Sequence, residues 1–290
     1  MSTTPIPMLD LMFFLTESVE NPRHVGSVLI FKRPPRGGAN TAREIFAAYR
    51  ASRPQPPFNR IPVFRKTGMP LWQEVDRFDP SHHVLHIALP PPGTDQQLHE
   101  LIADLHAPML ERHRPGWKLY VIEGLAGGRF AIYHKVHHAL VDGESGMQIL
   151  RRSLAESPRD REIRATVALE HPRRPRPAPH GLRETLEGEA RKFARRTLSL
   201  GRSSIEIVEE TLDGLLGYTP LRKRAFTAPA TPMNEPIYNA RSIAHTHLPL
   251  AAMKAVARAN AATLNDVALT ILDAAVNRYL RAMGRTPEHP

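Results

Sequence analysis

The chain has 290 residues, enough for one large domain or two ordinary ones, and its 41% hydrophobic and 23% charged residues suit a globular protein with a core. It contains no cysteine, which excludes disulfides, thiolate metal sites and a cysteine nucleophile. The net charge of +10 is compatible with nucleic acid, an anionic membrane surface or a polyanionic cofactor, and charge alone does not choose among them.

Neither a membrane span nor a secretory signal is predicted. No run approaches the roughly 20 apolar residues that cross a bilayer. Residues 1–10 lack a basic segment before an apolar core, which a secretory signal needs. We therefore expect a cytoplasmic protein.

The first 150 residues alternate between strand and helix patterns. Strands are predicted at Val25–Phe31 and His83–Leu89, and helices at Thr41–Ser52 and Asp95–Leu110. A hairpin follows, made of Lys118–Leu125, the turn Ala126–Gly128 and Arg129–Lys135. A histidine-bearing loop then leads into a helix that begins near Glu144 and ends near Leu154.

The middle of the chain has a different composition. Residues 171–179 are rich in proline and arginine and should be extended. Residues 182–216 predict one or two long basic helices, either packed on the domain or lying on anionic lipid. From Ile243 a strand to Leu248, a helix starting at Pro249 and a helix over Leu264–Met283 are predicted.

The alternating strands and helices predict an α/β fold. The patterns divide the chain into an amino-terminal domain at residues 1–165, a linker with amphipathic helices at 166–225, and a further globular part at 226–290. The chain stops soon after the last predicted helix, at a turn-like sequence.

The segment His137-His138-Ala139-Leu140-Val141-Asp142-Gly143 carries the chemistry of interest. An imidazole near neutral pKa can take a proton from a hydroxyl while that oxygen attacks a thioester. Such a reaction needs no covalent enzyme intermediate, in agreement with the absence of cysteine. In a loop, Asp142 could fold back to fix the backbone, and Gly143 would permit a positive φ or a close backbone approach.

Zinc is the competing interpretation of this segment. His137, His138 and Asp142 could be ligands, with His82, His83 or His86 as a further arm. Adjacent residues point apart on regular backbone, so neighbouring histidines rarely bind one ion. We therefore predict no metal.

The segment resembles the His-His-x-x-x-Asp-Gly signature of the bacterial wax ester synthase/diacylglycerol acyltransferase family. Further blocks match that family in order. They are Leu9-Asp10, Met12-Phe13 and Asn21–Gly26, then Pro70-Leu71-Trp72 with Phe78-Asp79 and His83-Val84, then Arg114-Pro115-Gly116-Trp117 (where the family usually has leucine in third place), Pro229–Asn234 and Asn265-Asp266-Val267.

The resemblance implies a chloramphenicol-acetyltransferase-like fold of two α/β halves with a channel between them, built on a mixed sheet flanked by helices. Residues 226–290 would then be the start of a second, truncated half. It implies that acyl-CoA, a co-substrate, enters one mouth, and diacylglycerol or a long-chain alcohol the other, with no further cofactor. It makes His138 the general base and Asp142 the residue that orients the loop. His137 and Gly143 would shape the site, and Asn265 and Asp266 would support it.

Family members normally continue well beyond a point like Pro290, so a complementing carboxy-terminal half is expected. The leading hypothesis is acyl transfer at the inner face of the plasma membrane or at lipid inclusions. The alternative is a non-catalytic remnant that binds lipid or a partner. Nucleic-acid binding is disfavoured, because no stacking aromatic residues alternate with the basic ones.

Overall fold

The computed structural model describes residues 2–34, 38–157, 159–169 and 231–285. The chain forms two compact units, one of Met1–Arg174 with Ile237–Ala244, the other of Pro175–Pro236 with His245–Pro290. The proline-rich stretch and the basic helices predicted over residues 171–216 lie outside the described residues. The domain limits drawn at residues 165 and 225 stay a prediction.

The first unit consists of short strands and helices that alternate along the chain. In chain order these are β1 (Thr3–Pro5), α1 (Met8–Leu15), β2 (His24–Lys32), α2 (Thr41–Ala51), β3 (Arg60–Val63), β4 (Leu71–Glu74), β5 (Val84–Ala88), α3 (Asp95–His106), β6 (Trp117–Leu125), β7 (Arg129–His137) and α4 (Gly143–Ser153).

The main sheet has four strands in the order β2-β7-β6-β5. The pair β5–β6 is parallel and the other two pairs are antiparallel. The β6–β7 hairpin closes through Gly127 and Gly128, with φ of 72° and 67°, values that glycine adopts without steric cost. The predicted mixed sheet flanked by helices is thereby confirmed.

Both faces of β6 and β7 are buried, because these two strands alternate apolar side chains toward two separate clusters. One cluster packs against α2 and includes Trp117, whose Nε1 donates to the Phe58 carbonyl at 2.8 Å. The other packs against α3 and includes Leu98, Ile102 and Tyr133. Strand β7 ends at His137, so the histidine motif leaves the sheet from a strand that is packed on both faces.

A second sheet has three strands in the order β1-β4-β3 and was not predicted from the sequence. Its strands have three or four residues each, too short for an alternating pattern to emerge. Helix α1 packs beside it in a cluster of Ile6, Leu11, Phe14, Trp72 and Ala139. Because Ala139 belongs to the histidine motif, this cluster fastens α1 to the loop after β7.

The end of one predicted helix and the existence of one predicted strand are wrong. The helix predicted to reach Leu110 ends at His106, since Pro108 cannot continue a helix. The strand predicted at Ile243–Leu248 has no ladder partner and is irregular. Its apolar residue Ile243 instead packs against the cluster under α3, which accounts for the misleading apolar pattern.

The second unit contributes the helices α5 (Leu250–Ala259) and α6 (Leu264–Ala282), close to the predicted ranges. The prediction that α5 starts at Pro249 is wrong by one residue. Pro249 occupies the N-cap position, and the first helical residue is Leu250. Within the described residues, no helix is both long and apolar enough to cross a bilayer.

Candidate active site

The backbone of His138 is fixed from both sides of the strand end. The His138 N–H donates to the Arg23 carbonyl at 2.9 Å, just before β2 begins. The His137 N–H donates to the Gly116 carbonyl at 2.7 Å, just before β6 begins. The second histidine therefore leaves the sheet at a point held by both neighbouring strands.

Gly116 has a close-approach role here. A Cβ built on it would lie 3.0 Å from the Cβ of His137, tighter than an ordinary contact. Glycine at this position lets the start of β6 lie directly against the first histidine.

The side chain of His137 is buried and braces the loop that carries His138. Its Nδ1 accepts from the Ala139 N–H at 3.2 Å, so the ring bridges across residue 138. We assign the ring proton to Nε2 from this bond. Nε2 lies 3.4 Å from Glu17 Oε1, at ion-pair distance but without hydrogen-bond geometry.

Two consecutive phenylalanines of α1 stack on the two histidines. Phe13 stacks on His138 with ring centroids 4.2 Å apart and planes 18° apart. Phe14 stacks on His137 at 4.3 Å and 12°. Each aromatic pair is worth about 0.5–1.5 kcal/mol beyond its buried area. Helix α1 thus fixes the orientation of both imidazoles.

His138 is half-buried, in contrast to the buried His137. Within the described part of the chain, the buried Nδ1 of His138 has no hydrogen-bond partner. A cavity of about 10 Å³, enough for one water molecule, is lined by His137, Phe14, Gly116 and Leu140. That His138 faces a substrate cleft stays a prediction.

Asp142 holds the other end of the loop. Its Oδ1 accepts from the Ser145 N–H at 2.7 Å, which makes it the N-cap of α4. Its carbonyl accepts from the Gly146 N–H at 2.8 Å. The carboxylate therefore turns back onto the helix that follows it, and its role in orienting the His138 loop stays a prediction.

Gly143 does not adopt the positive φ that glycine would permit, and its role in shaping the site stays a prediction. Gly143 is the first residue of α4 and has no positive φ. Among the described residues, no heavy atom lies within 4 Å of a Cβ built on Gly143. The helical conformation at this position can be adopted by any L-residue.

Replacing Asp142 with alanine should lower both stability and activity. The helix loses its cap, which costs about 1 kcal/mol, and the freed α4 start loosens the loop. Asp142→Ser should retain most of both properties, because serine also caps. Thermal melts and rate measurements on the same preparations provide the comparison.

The matched control is Thr94, which caps α3 with its side chain. Thr94→Ala should cost similar stability and leave the rate per folded molecule unchanged. A rate loss in Thr94→Ala equal to that in Asp142→Ala would contradict a local role for Asp142.

Asn265 and Asp266 belong to the second unit and lie at the start of α6. Asp266 forms a capping box, in which its Oδ2 accepts from the Thr263 N–H at 2.8 Å and its N–H donates to Thr263 Oγ1 at 3.2 Å. Asn265 is exposed in the same first turn. The supporting role assigned to both residues stays a prediction.

The three histidines considered as further zinc arms are engaged elsewhere. His83 Nδ1 donates to the Trp117 carbonyl at 2.8 Å, and His86 Nε2 contacts Glu123. His82 is exposed and lies 3.6 Å from Asp79. Among the described residues, no group of three or more histidine or acidic side chains could hold a metal ion.

Sequence reasoning missed the residues that surround the histidines. Phe13 lay in a matching block but carried no assigned role, and Phe14, Glu17 and Arg112 were not singled out. Phe14 and Glu17 precede β2 and meet His137 only through the tertiary fold. Arg112 follows α3 and meets Glu17 in the same way. No spacing in the chain signals that meeting.

Comparisons with known proteins give the family. Residues 6–268 match the model described as the wax ester synthase/diacylglycerol acyltransferase catalytic domain. The probable diacylglycerol O-acyltransferase Tgs4 of Mycobacterium tuberculosis is 34% identical over 99% of this chain and 62% of its own length. The O-acyltransferase WSD of Acinetobacter baylyi is 31% identical over 99% of this chain and 61% of its own length.

A solved structure agrees with these relatives. The wax ester synthase/diacylglycerol acyltransferase from Marinobacter aquaeolei VT8 has a TM-score of 0.74 and 27% identity, over 99% of this chain and 63% of that protein. The chain thus spans 62% of the length of the curated relative Tgs4. On the family match and this shared fold, the chain belongs to the wax ester synthase/diacylglycerol acyltransferase family.

Proposed function

We propose that this chain carries the catalytic base of an O-acyltransferase, which moves a fatty acyl group from acyl-CoA to diacylglycerol or a long-chain alcohol. The product would be a triacylglycerol or a wax ester. The observation that carries the proposal is the placement of His138 in a chain of this family. It stands at the end of a central strand, half-buried, with its backbone bonded and its ring stacked on Phe13.

The proposed chemistry is a single displacement assisted by His138. Because Nδ1 is buried, Nε2 is the nitrogen that would take the proton of the acceptor hydroxyl as its oxygen attacks the thioester carbonyl. A tetrahedral intermediate forms and the C–S bond breaks. The imidazolium returns the proton to the departing CoA thiolate, so no group stays bound to the enzyme.

The exposed face of α1 supports the proposal that the substrates are apolar. Met8, Met12 and Leu15 lie three or four residues apart, and all three are exposed on the helix that carries Phe13. Exposed apolar stripes of this kind mark lipid or partner contacts. Together with the charge of +10, this supports peripheral contact with the inner face of the plasma membrane or with lipid inclusions.

A second candidate function is non-catalytic binding of lipid or of a partner, which the exposed stripe of Met8, Met12 and Leu15 also favours. The match covers 62% of the Tgs4 relative. A polypeptide that corresponds to the remaining part of the relatives would then restore acyl transfer. This complementing half is itself part of the proposal.

The test is an assay with radiolabelled acyl-CoA and either hexadecanol or diacylglycerol as acceptor. The chain is assayed alone and mixed with a polypeptide that corresponds to the carboxy-terminal part of a relative. Product in either condition supports the acyltransferase. No product in both, with acyl-CoA or lipid binding retained, would leave only the binding function.

A further inference from the structure

Glu17 is a buried carboxylate next to the histidine motif that the mechanism above does not use. It lies in the loop between α1 and β2, and its side chain has 0% exposure to solvent. Burying an unpaired carboxylate is costly, so buried acids are paired and hydrogen-bonded. The groups that Glu17 contacts therefore indicate what it holds in place.

The first contact leads to His138 through the backbone. The Arg23 N–H donates to Glu17 Oε1 at 3.3 Å. The carbonyl of Arg23 in turn accepts the His138 N–H at 2.9 Å. One oxygen of Glu17 thus holds Arg23, and the carbonyl of Arg23 holds the backbone N–H of His138.

The second contact leads to His138 through His137. The same Oε1 lies 3.4 Å from His137 Nε2, the nitrogen that carries the ring proton. His137 Nδ1 then accepts the Ala139 N–H at 3.2 Å. A negative charge beside Nε2 favours the tautomer that leaves Nδ1 free to accept this bond. Glu17 therefore braces the loop on the far side of His138 as well.

Arg112 balances the charge of Glu17. Its Nη2 donates to Glu17 Oε2 at 3.0 Å and to the Phe14 carbonyl at 2.9 Å. Its guanidinium lies 5.6 Å from the ring centre of Phe14, which stacks on His137. Burial raises the pKa of the Glu17 carboxyl, but His137 and Arg112 outweigh burial and hold that pKa below its usual value.

We propose that Glu17 is a positioning residue for acyl transfer, which holds the His138 loop in place through Arg23 and through the ring of His137. The proposal rests on the proposed function of His138. Glu17 itself does not touch the reacting atoms in this scheme. It fixes the tautomer of His137 and, with it, the backbone on both sides of the base.

The test compares Glu17→Gln, Glu17→Asp, His137→Gln and the double variant Glu17→Gln/His137→Gln. In Glu17→Gln, kcat should fall about tenfold with KM unchanged, a size typical of coupled neighbours. Glu17→Asp retains the charge and should recover part of the rate. Because one of the two paths from Glu17 runs through the ring of His137, the loss in the double variant should be smaller than the product of the two single losses.

The control is Glu74→Gln, which removes a carboxylate paired with Arg60 at 3.1 Å in the small sheet. It should leave kcat unchanged. If the rate loss of the double variant equals the product of the losses in Glu17→Gln and His137→Gln, the proposal is overturned. A rate loss in Glu17→Gln that matches only the fraction of unfolded protein would overturn it as well.

A readout independent of activity separates this proposal from the proposed function. In protein labelled with ¹⁵N-histidine, the His137 ring, assigned through His137→Gln, should show one tautomer protonated at Nε2. Glu17→Gln should mix the two tautomers. If the wild-type chain transfers no acyl group but this change is seen, acyl transfer fails and the Glu17–His137 coupling stands. If the His137 ring signals are the same in both proteins, the coupling is overturned.

Discussion

His138→Ala should lower the rate of acyl transfer about 10²–10⁴-fold, the usual contribution of general-base catalysis. A hydroxyl is a poor nucleophile while it keeps its proton, and within the proposed site His138 is the group placed to remove it. Binding of acyl-CoA should survive, since the backbone contacts of residue 138 do not depend on its side chain. Initial rates at saturating substrate and equilibrium binding of acyl-CoA measure the two effects separately.

Two histidine variants serve as comparisons for His138→Ala. His137→Ala should lose less activity and more stability, because the buried ring braces the loop and packs on Phe14. His82→Ala, at an exposed histidine that contacts Asp79, should change neither. Full activity in His138→Ala would end the proposed mechanism. Equal rate losses at His137 and His138 with unchanged melting temperatures would contradict a single base.

Much of the main sheet was predictable, because its signals are local. The β6–β7 hairpin shows two β-rich runs joined by Ala126-Gly127-Gly128, a turn that the chain's own residues impose. Helix α3 shows its apolar stripe and its capping box at Thr94 and Gln97. Such elements follow from the backbone preferences of a few neighbouring residues.

The small sheet and the strand predicted at Ile243–Leu248 show where local signals fail. Strand β1 is only Thr3–Pro5, and its formation depends on pairing with Leu71–Gln73, far along the chain. Ile243 has the apolar character of a strand residue, but no strand with a free edge pairs with its segment among the described residues. Tertiary pairing decides both cases, and no short window contains it.

In the candidate site, too, local features were predictable and tertiary contacts were not. The motif from His137 to Gly143 and the capping role of Asp142 lie within one loop and were open to sequence reasoning. Glu17 and Arg112 lie 95 residues apart in sequence and meet only in the fold. A positive φ was allowed for Gly143 because a glycine after a loop aspartate can open either a turn or a helix, and the capping bond of Asp142 selects the helix.

Gly93→Ala should destabilise the first unit by about 2–5 kcal/mol. Gly93 has a φ of +68°, where an L-residue costs about 1–2 kcal/mol. Its Cβ would also lie 1.8 Å from the carbonyl oxygen of Gly124, which is backbone in the bulged end of β6. Relieving that clash means moving β6 or the loop after β5, and overpacking of this kind adds about 1–3 kcal/mol.

Gly68→Ala separates the two costs. Gly68 has a φ of +91° but no heavy atom within 4 Å of a built Cβ, so alanine there meets backbone strain alone. It should cost about 1 kcal/mol, reduced by the lower entropy of the unfolded alanine chain. Both tryptophans, Trp72 and Trp117, lie in the first unit, so urea unfolding followed by tryptophan fluorescence reports on that unit directly. Equal shifts of the unfolding midpoint in the two variants would mean that the close approach of Gly93 to Gly124 contributes nothing, and that positive φ alone sets the requirement for glycine.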